Sequence, residues 1–126
     1  MPVGTQGTVK TVGSEDIEAM GFEQVLSNTY HLSLRPTADL VERFGGLHDF
    51  MSWKGSILTD SGGYQVMSLS SMRQIDDEGA TFKSHLDGSI HHLTPERSIE
   101  IQGKLGVDIS MMLDECPPYP CSRDQA

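Results

Sequence analysis

Two apolar segments of this sequence each end in a carboxylate. Asp60 follows the apolar pair Ile57 and Leu58, and Asp114 follows the apolar segment 107–113. A pair of carboxylates can act as the acid and the nucleophile of a glycoside hydrolase. They can also cap turns, because aspartate is an ordinary turn residue. The residue types alone leave both interpretations open.

The residues after Asp60 favour a ligand site. They are Ser61, Gly62, Gly63 and Tyr64. Two adjacent glycines let a backbone turn sharply or approach a ligand closely. The alternatives are a polar strand-to-loop turn and, for the tyrosine, packing in the core.

Helices and strands alternate along the chain. A helix is predicted from Ser14, as N-cap, to Gly21. Another is predicted from Pro36 to Gly45-Gly46, with an apolar side made of Ala38, Leu40, Val41 and Phe44. A third begins at Thr94 and Pro95, ends at Gly106 and buries its isoleucines and leucine (Ile99, Ile101 and Leu105). Strands are predicted at 22–26, 57–59 and 107–113.

Between the second strand and the last helix the pattern changes. Residues 81–93 contain Asp87-Gly88 between partly alternating runs, which predicts a β-hairpin insertion with a two-residue turn. Residues 73–79 are charged and are interpreted as a solvated loop. His85, His91 and His92 lie on the hairpin without cysteines or carboxylates at ligand spacing, so solvated or packed histidines are favoured over a metal site.

The alternation predicts an α/β fold with a parallel sheet. Asn28, Asp60 and Asp114 then follow successive strands, whose carboxyl ends meet at one edge, as at the mouth of an α/β barrel. An open sheet of three or four strands makes a poor independent domain. Residues 1–126 are therefore interpreted as one incomplete domain, a piece of a larger barrel.

Composition restricts the partners and the location. Nine basic residues against eighteen acidic ones give a net charge of -9, which offers no general attraction for a polyanion. Cys116 and Cys121 fit a reducing compartment better than a disulfide framework. Without a signal-peptide pattern or a long apolar run, the chain is expected to be cytoplasmic, with no membrane partner.

Seven collinear motifs resemble bacterial-type tRNA-guanine transglycosylase. They are MPVGT, NTYHLSLRP, GGLHDFM, LTDSGGYQVMSLS, FKSHLDGS, LTPERSIEIQ and LDECPPYP, and together they reach from Met1 to about Pro120. The resemblance implies the N-terminal half of a (β/α)8 TIM barrel. It also implies an enzyme that exchanges guanine for preQ1 at the anticodon wobble position of tRNA in queuosine biosynthesis, and that is commonly a homodimer.

The same resemblance assigns roles to individual residues. Asp60 matches the general acid/base of the family, which also holds the substrate with Ser61, Gly62 and Gly63. The ring of Tyr64 would stack on the base. Asp114 would accept hydrogen bonds from the guanine or preQ1 edge.

Two further residues are candidates for the wall of this pocket. Cys116 would line it, or would be a small buried hydrophobe. Asn28 would orient Asp60 or a ligand, or would be an ordinary amide at a strand end.

Other features of the family have no counterpart in this sequence. The covalent nucleophile lies in a later motif, and the zinc ligands, three cysteines and a histidine, also lie further along. We therefore expect the 126 residues alone to exchange no guanine. A non-catalytic tRNA-binding subunit and a truncated remnant of the same superfamily are the alternatives.

Overall fold

The computed structural model describes residues 1–69, 73–117 and 119–124. Ser70 of the motif that contains Asp60, and Pro118 of the motif that contains Asp114, lie outside these residues. The described strands are β1 (Val3–Gly4), β2 (Gln24–Ser27), β3 (Ser56–Thr59), β4 (Arg73–Asp76), β5 (Gly79–Lys83), β6 (Ile90–Leu93) and β7 (Ile109–Ser110). The described helices are α1 (Ser14–Ala19), α2 (Thr29–Leu34), α3 (Ala38–Arg43), α4 (Leu47–Met51), α5 (Gly63–Leu69) and α6 (Pro95–Leu105).

One sheet is parallel throughout, and its strands lie in the order β1-β2-β3-β7. Helices connect successive strands, which confirms the predicted α/β class. The strands β4, β5 and β6 form a separate antiparallel sheet, inserted between β3 and α6. Because all strands of the parallel sheet point the same way, their carboxyl ends form one edge.

The core packs the helices against the central strands. Val25 of β2 and Ile57 of β3 are fully buried, as are Leu32 of α2 and Leu105 of α6. Full burial of one such side chain contributes about 1.5–3 kcal/mol to folding. These contacts fix β2 and β3 relative to the helices. They therefore also fix the carboxyl ends of the two strands, which Asn28 and Asp60 directly follow.

Helix α6 begins and ends as predicted. The Thr94 hydroxyl accepts a hydrogen bond from the Arg97 amide at 3.1 Å, and Gly106 ends the helix with a φ of 66°. The predicted burial of Ile99 is wrong, because 49% of this residue is exposed. Ser98, Ile101, Gln102 and Leu105 form the buried face instead.

Removal of the Thr94 cap should destabilise the protein measurably. We expect Thr94→Ala to lower the free energy of unfolding by about 1 kcal/mol, since the Arg97 amide loses its acceptor. Thr94→Ser keeps an acceptor oxygen and should cost much less. Urea denaturation of both variants tests this, and equal losses would contradict a capping role.

The first two predicted helices correspond to α1 and α3. Helix α1 has a different N-cap from the predicted one, and α3 begins later than predicted. The N-cap of α1 is Gly13, whose amide donates to the Asp16 carboxylate at 3.3 Å, while the Ser14 hydroxyl donates to the Met51 carbonyl. Helix α3 begins at Ala38 after the cap Thr37, two residues beyond the expected Pro36.

The apolar side predicted for the second helix is only partly buried. Leu40 and Phe44 are exposed, whereas Ala38 and Val41 are buried. The last predicted strand is also shorter than expected, because only Ile109–Ser110 of residues 107–113 pair with β3.

The hairpin insertion is present, but its predicted turn is wrong. Residues 84–89 form a loop between β5 and β6, closed by the Ser84 amide on the Ser89 carbonyl at 2.8 Å. The two-residue turn lies earlier, at Asp77 and Glu78, between β4 and β5. The loop interpretation of residues 73–76 is therefore also wrong, because they form an exposed strand.

Candidate functional site

Polar residues gather where the parallel strands end. Asn28 directly follows β2, Asp60 directly follows β3, and Asp114 lies four residues beyond β7. The predicted convergence of these three residues is therefore present. Hydrogen bonds link Asn28 to Asp60 and Ser61 to Asp114, so the residues form one connected group.

The Asp60 carboxylate is held by three donors among the described residues. Its Oδ2 accepts from the Asn28 amide and from Gln65 Nε2 at 3.0 Å, and its Oδ1 accepts from the Thr29 backbone amide at 2.9 Å. Because a carboxylate oxygen has two acceptor positions, both positions on Oδ2 are used and one on Oδ1 remains. Asn28 thus orients Asp60, as one of its two interpretations predicted.

The capping interpretation of Asp60 is also partly right. Thr29 is the first residue of α2, so its backbone amide is one that the helix itself cannot satisfy. The Thr29 hydroxyl adds a second link by donating to the Asp60 carbonyl at 2.6 Å. Asp60 therefore anchors the start of α2 while its carboxylate remains half-buried at the sheet edge.

The Asp114 carboxylate is more open. The Ser61 hydroxyl donates to its Oδ1, the Cys116 thiol lies 3.8 Å from its Oδ2, and the residue is exposed. An ionised carboxylate has only acceptors, so Asp114 can receive two adjacent N–H groups from a ligand. Asp114 is the stronger candidate for direct recognition of a nitrogen-rich edge.

Gly63 is required by the close approach of the two segments. A Cβ atom on Gly63 would lie 2.2 Å from the Asp114 carbonyl oxygen and 2.7 Å from its Oδ1. Gly62 has a φ of 90°, a conformation that residues with a Cβ rarely adopt. The glycine pair thus allows β3 to turn into α5 directly beside Asp114.

Tyr64 presents its ring to the surface. The residue is 58% exposed, which excludes core packing in this structure. Because Gly63 is the first residue of α5, Tyr64 lies on the first turn of that helix, next to both carboxylate-bearing segments. An exposed aromatic face at this position can stack on a planar ligand.

Helix α6 contacts the site through polar side chains that sequence reasoning missed. The Ser98 hydroxyl donates to the Ser61 carbonyl at 2.8 Å, and the Gln102 amide contacts Thr59 and Met111. A signal was present in the sequence, since residues 98, 101, 102 and 105 have the spacing of one helix face. Apolar periodicity alone does not assign Ser98 and Gln102 to that face.

A cavity of about 140 Å³ adjoins one side of the site. Gly63, Val66 and Met67 of α5 line one wall, and Leu113–Cys116 line another. Asp60 and Tyr64 are not among its lining residues. Small-molecule sites are usually about 300–1,000 Å³. The cavity therefore extends the Asp114 side of the site and is not a complete pocket in itself.

Two titratable groups near the carboxylates have shifted pKa values. Burial raises the pKa of the Cys116 thiol, and the Asp114 carboxylate raises it further through its charge and its hydrogen bond. Burial lowers the pKa of His31, and His85 lowers it further, while the Asp60 carboxylate acts in the opposite direction. A raised pKa leaves less of the reactive thiolate at neutral pH, which does not distinguish between the two roles predicted for Cys116.

This pKa shift predicts slow alkylation of Cys116. In a Cys121→Ser background, iodoacetamide at a pH of about 8 should modify Cys116 more slowly than free cysteine, because less thiolate is present. Asp114→Asn removes the negative charge and should increase the rate, although burial keeps it below that of free cysteine. Equal rates with and without the Asp114→Asn substitution would show that the carboxylate has no influence on the thiol.

The hairpin histidines have separate partners. His85 Nδ1 lies 3.0 Å from the Tyr30 hydroxyl, His91 Nε2 lies 2.8 Å from the Ser89 hydroxyl, and His92 Nδ1 lies 2.9 Å from the Thr81 hydroxyl. Residues 1–69, 73–117 and 119–124 contain no group of three or more potential ligands that could hold a metal ion. The described residues therefore do not form a zinc site by themselves.

Among the described helices, none is long and apolar enough to cross a membrane.

The fold and site define a class of protein: an α/β segment with paired carboxylates at the carboxyl edge of a parallel sheet. The family model for queuine tRNA-ribosyltransferase matches residues 1–126. The chain belongs to this family, whose members are glycosyltransferases. With that membership, the glycoside hydrolase interpretation has no further support.

Named relatives agree with the family match. The queuine tRNA-ribosyltransferases of Symbiobacterium thermophilum and Desulforamulus reducens are 57% and 59% identical to this chain over all of its 126 residues. That of Cereibacter sphaeroides is 60% identical over 124 residues. The chain spans about a third of the length of these relatives, between 32% and 34%.

Proposed function

We propose that the polypeptide carrying these residues exchanges guanine for preQ1 at the wobble position of tRNA. The observation that carries the proposal is the junction of Asp60 and Asp114 at one sheet edge, bridged by Ser61, in a chain of this family. We also propose that the parallel sheet is part of a (β/α)8 barrel. In support, its strand order follows the chain order, as in such a barrel.

Asp114 reads the base in this proposal. Its carboxylate is exposed, and the Ser61 hydroxyl fixes one of its oxygens. The Watson–Crick edge of guanine offers adjacent N–H donors, which two carboxylate oxygens can accept together. A purine that lacks these donors gives the carboxylate no hydrogen bond from the ligand and is bound more weakly.

Asp60 moves the proton in this proposal. As the glycosidic bond breaks, the ribose carbon passes to the family nucleophile, which would lie outside residues 1–126, and protonated Asp60 gives its proton to the departing base. The incoming base then gives a proton back to the Asp60 carboxylate and attacks the ribose carbon, which releases the nucleophile. Both tasks suit one carboxylate that is already oriented by Asn28, Thr29 and Gln65. The base would bind at the remaining acceptor position on Oδ1.

Tyr64 completes the base-binding site by stacking its ring on the base. Such a contact tolerates both the departing and the entering base. Contacts with tRNA phosphates must be local or come from basic side chains outside residues 1–126, since these residues carry a net charge of -9. In this proposal, residues 1–126 recognise the base and form one part of a larger tRNA-binding surface.

The test is exchange of labelled guanine into tRNA. The polypeptide purified from its native source should incorporate the label, and its intact mass should be well above 13.8 kDa. The 126-residue chain alone should show no exchange, because the family nucleophile has no match in it. Exchange by the isolated 126 residues would contradict this assignment of roles.

Two other outcomes would replace the proposal. A native polypeptide of about 13.8 kDa without exchange would identify a truncated remnant. A longer native polypeptide that binds tRNA without exchange would identify a non-catalytic subunit.

A further inference from the structure

We propose that Gln102 is a positioning residue that sets the placement of Asp114 relative to Asp60. This inference rests on the proposed base exchange and adds a residue to it. Gln102 lies on the buried face of α6, is fully buried, and does not itself reach the exposed edge of the sheet.

The Gln102 amide contacts both of the segments that lead to the carboxylates. Its Oε1 accepts from the Thr59 hydroxyl at 2.8 Å and from the Met111 backbone amide at 2.9 Å. Its Nε2 donates to the Met111 carbonyl at 2.9 Å. Thr59 directly precedes Asp60, and Met111 lies three residues before Asp114.

The contacts with Met111 take the place of sheet pairing. Strand β7 pairs with β3 only through Ile109 and Ser110, so Met111 is the first residue beyond the ladder. Its backbone N–H and C=O both bond to the Gln102 side chain, as they would to a neighbouring strand. Gln102 therefore determines the direction in which the chain leaves β7 toward Asp114.

Ser98 connects the same helix to the loop after Asp60. Its hydroxyl donates to the Ser61 carbonyl at 2.8 Å and accepts from Gln102 Nε2 at 3.1 Å. The Ser61 hydroxyl in turn donates to the Asp114 carboxylate. The amide of Gln102 thus has every hydrogen-bonding position filled, and each partner is fixed relative to the others.

A purely structural role can be separated from a positioning role by kinetics. Free guanine depends on the Asp114 carboxylate for binding, whereas the affinity of tRNA comes largely from phosphate contacts. Displacement of Asp114 should therefore raise the KM for guanine and leave the KM for tRNA unchanged. Loss of folded protein would lower kcat per mole of total protein and leave both KM values unchanged.

The experiment compares Gln102→Met with Ile101→Val in the full native polypeptide. Methionine has a similar length without the hydrogen bonds, and we expect the KM for guanine to rise about tenfold, as for one weakened hydrogen bond to a charged group. Ile101→Val disturbs the same buried helix face without touching the network, and both KM values should stay as in the wild type.

The outcomes are distinguishable from failure of the proposed function. If the wild type exchanges no guanine, the proposed function fails. If it does exchange guanine but Gln102→Met leaves the KM for guanine unchanged, or raises both KM values equally, the positioning role is overturned. If Gln102→Met does not fold, Ser98→Ala decides by the same criterion, with an expected rise of about threefold.

Discussion

Asp60→Asn is expected to lower kcat for guanine exchange by about 10²- to 10⁴-fold, the usual contribution of general acid–base catalysis. The asparagine has the same shape but cannot take up and release the proton. The fold should survive, because the asparagine oxygen can still accept from the Thr29 amide. The Asn28 and Gln65 amides, which both donate to Oδ2 in the wild type, must rotate so that their oxygens accept from the new NH₂ group.

Exchange kinetics with labelled guanine measure kcat, and near-UV circular dichroism shows whether the fold survives. Asp39→Asn is the matched control: it neutralises an exposed aspartate that pairs with Lys104 on the surface. Such pairs contribute about 0–1 kcal/mol, and kcat should stay within about twofold of the wild type. A kcat for Asp60→Asn within about tenfold of the wild type would remove Asp60 from the proton transfer.

Gly63→Ala should raise the KM for guanine by at least about tenfold. The new Cβ would lie 2.2 Å from the Asp114 carbonyl oxygen, so one of the two segments must move. Asp114 is exposed and lies beyond the end of β7, whereas Gly63 begins a helix whose Val66 is packed in the core. We therefore expect the Asp114 segment to move, with loss of base recognition and little change in melting temperature.

Gly103→Ala is the control for this substitution. Gly103 lies within α6, and a Cβ atom there would meet nothing within 4 Å apart from its chain neighbours and the backbone of its own helix. Alanine should leave both KM values unchanged and stabilise the helix by up to about 1 kcal/mol. A drop in melting temperature for Gly63→Ala, without any change in the KM for guanine, would show that α5 moves instead.

The sequence was most informative where local chemistry decides the structure. Thr94 and Pro95 begin α6 and Gly106 ends it, because a hydroxyl cap, a fixed φ and a left-handed glycine act within a few residues. The convergence of Asp60 and Asp114 was also predictable, since it follows from the single direction of parallel strands.

Features that depend on distant partners were missed. Helix α2 was not predicted, since its first amide is satisfied by Asp60, which lies 31 residues further along the chain. Helix α5 was also missed, because it begins with a glycine that ordinarily disfavours helix and is required here by Asp114. Gln102 was overlooked because a buried amide resembles a surface residue until its partners are known.

The hairpin error has a similar origin. Asp87-Gly88 has the composition of a two-residue turn, yet it lies within the loop 84–89. The turn between β4 and β5 is stabilised instead by the Asp76 side chain, which accepts from the amides of Glu78 and Gly79. The tight turn thus forms after Asp76, whose side chain binds the turn amides, and not at Asp87-Gly88.

The order of strands in the parallel sheet has a consequence for synthesis on the ribosome. In the order β1-β2-β3-β7, the strands β2, β3 and β7 each pair with the preceding strand of the same sheet, and the antiparallel strands β4–β6 pair among themselves. In neither sheet does a strand that is made later lie between two strands that are made earlier. Translation delivers the N-terminal residues first, at about 5–20 residues per second. The nascent chain can therefore add its strands in the order in which they emerge.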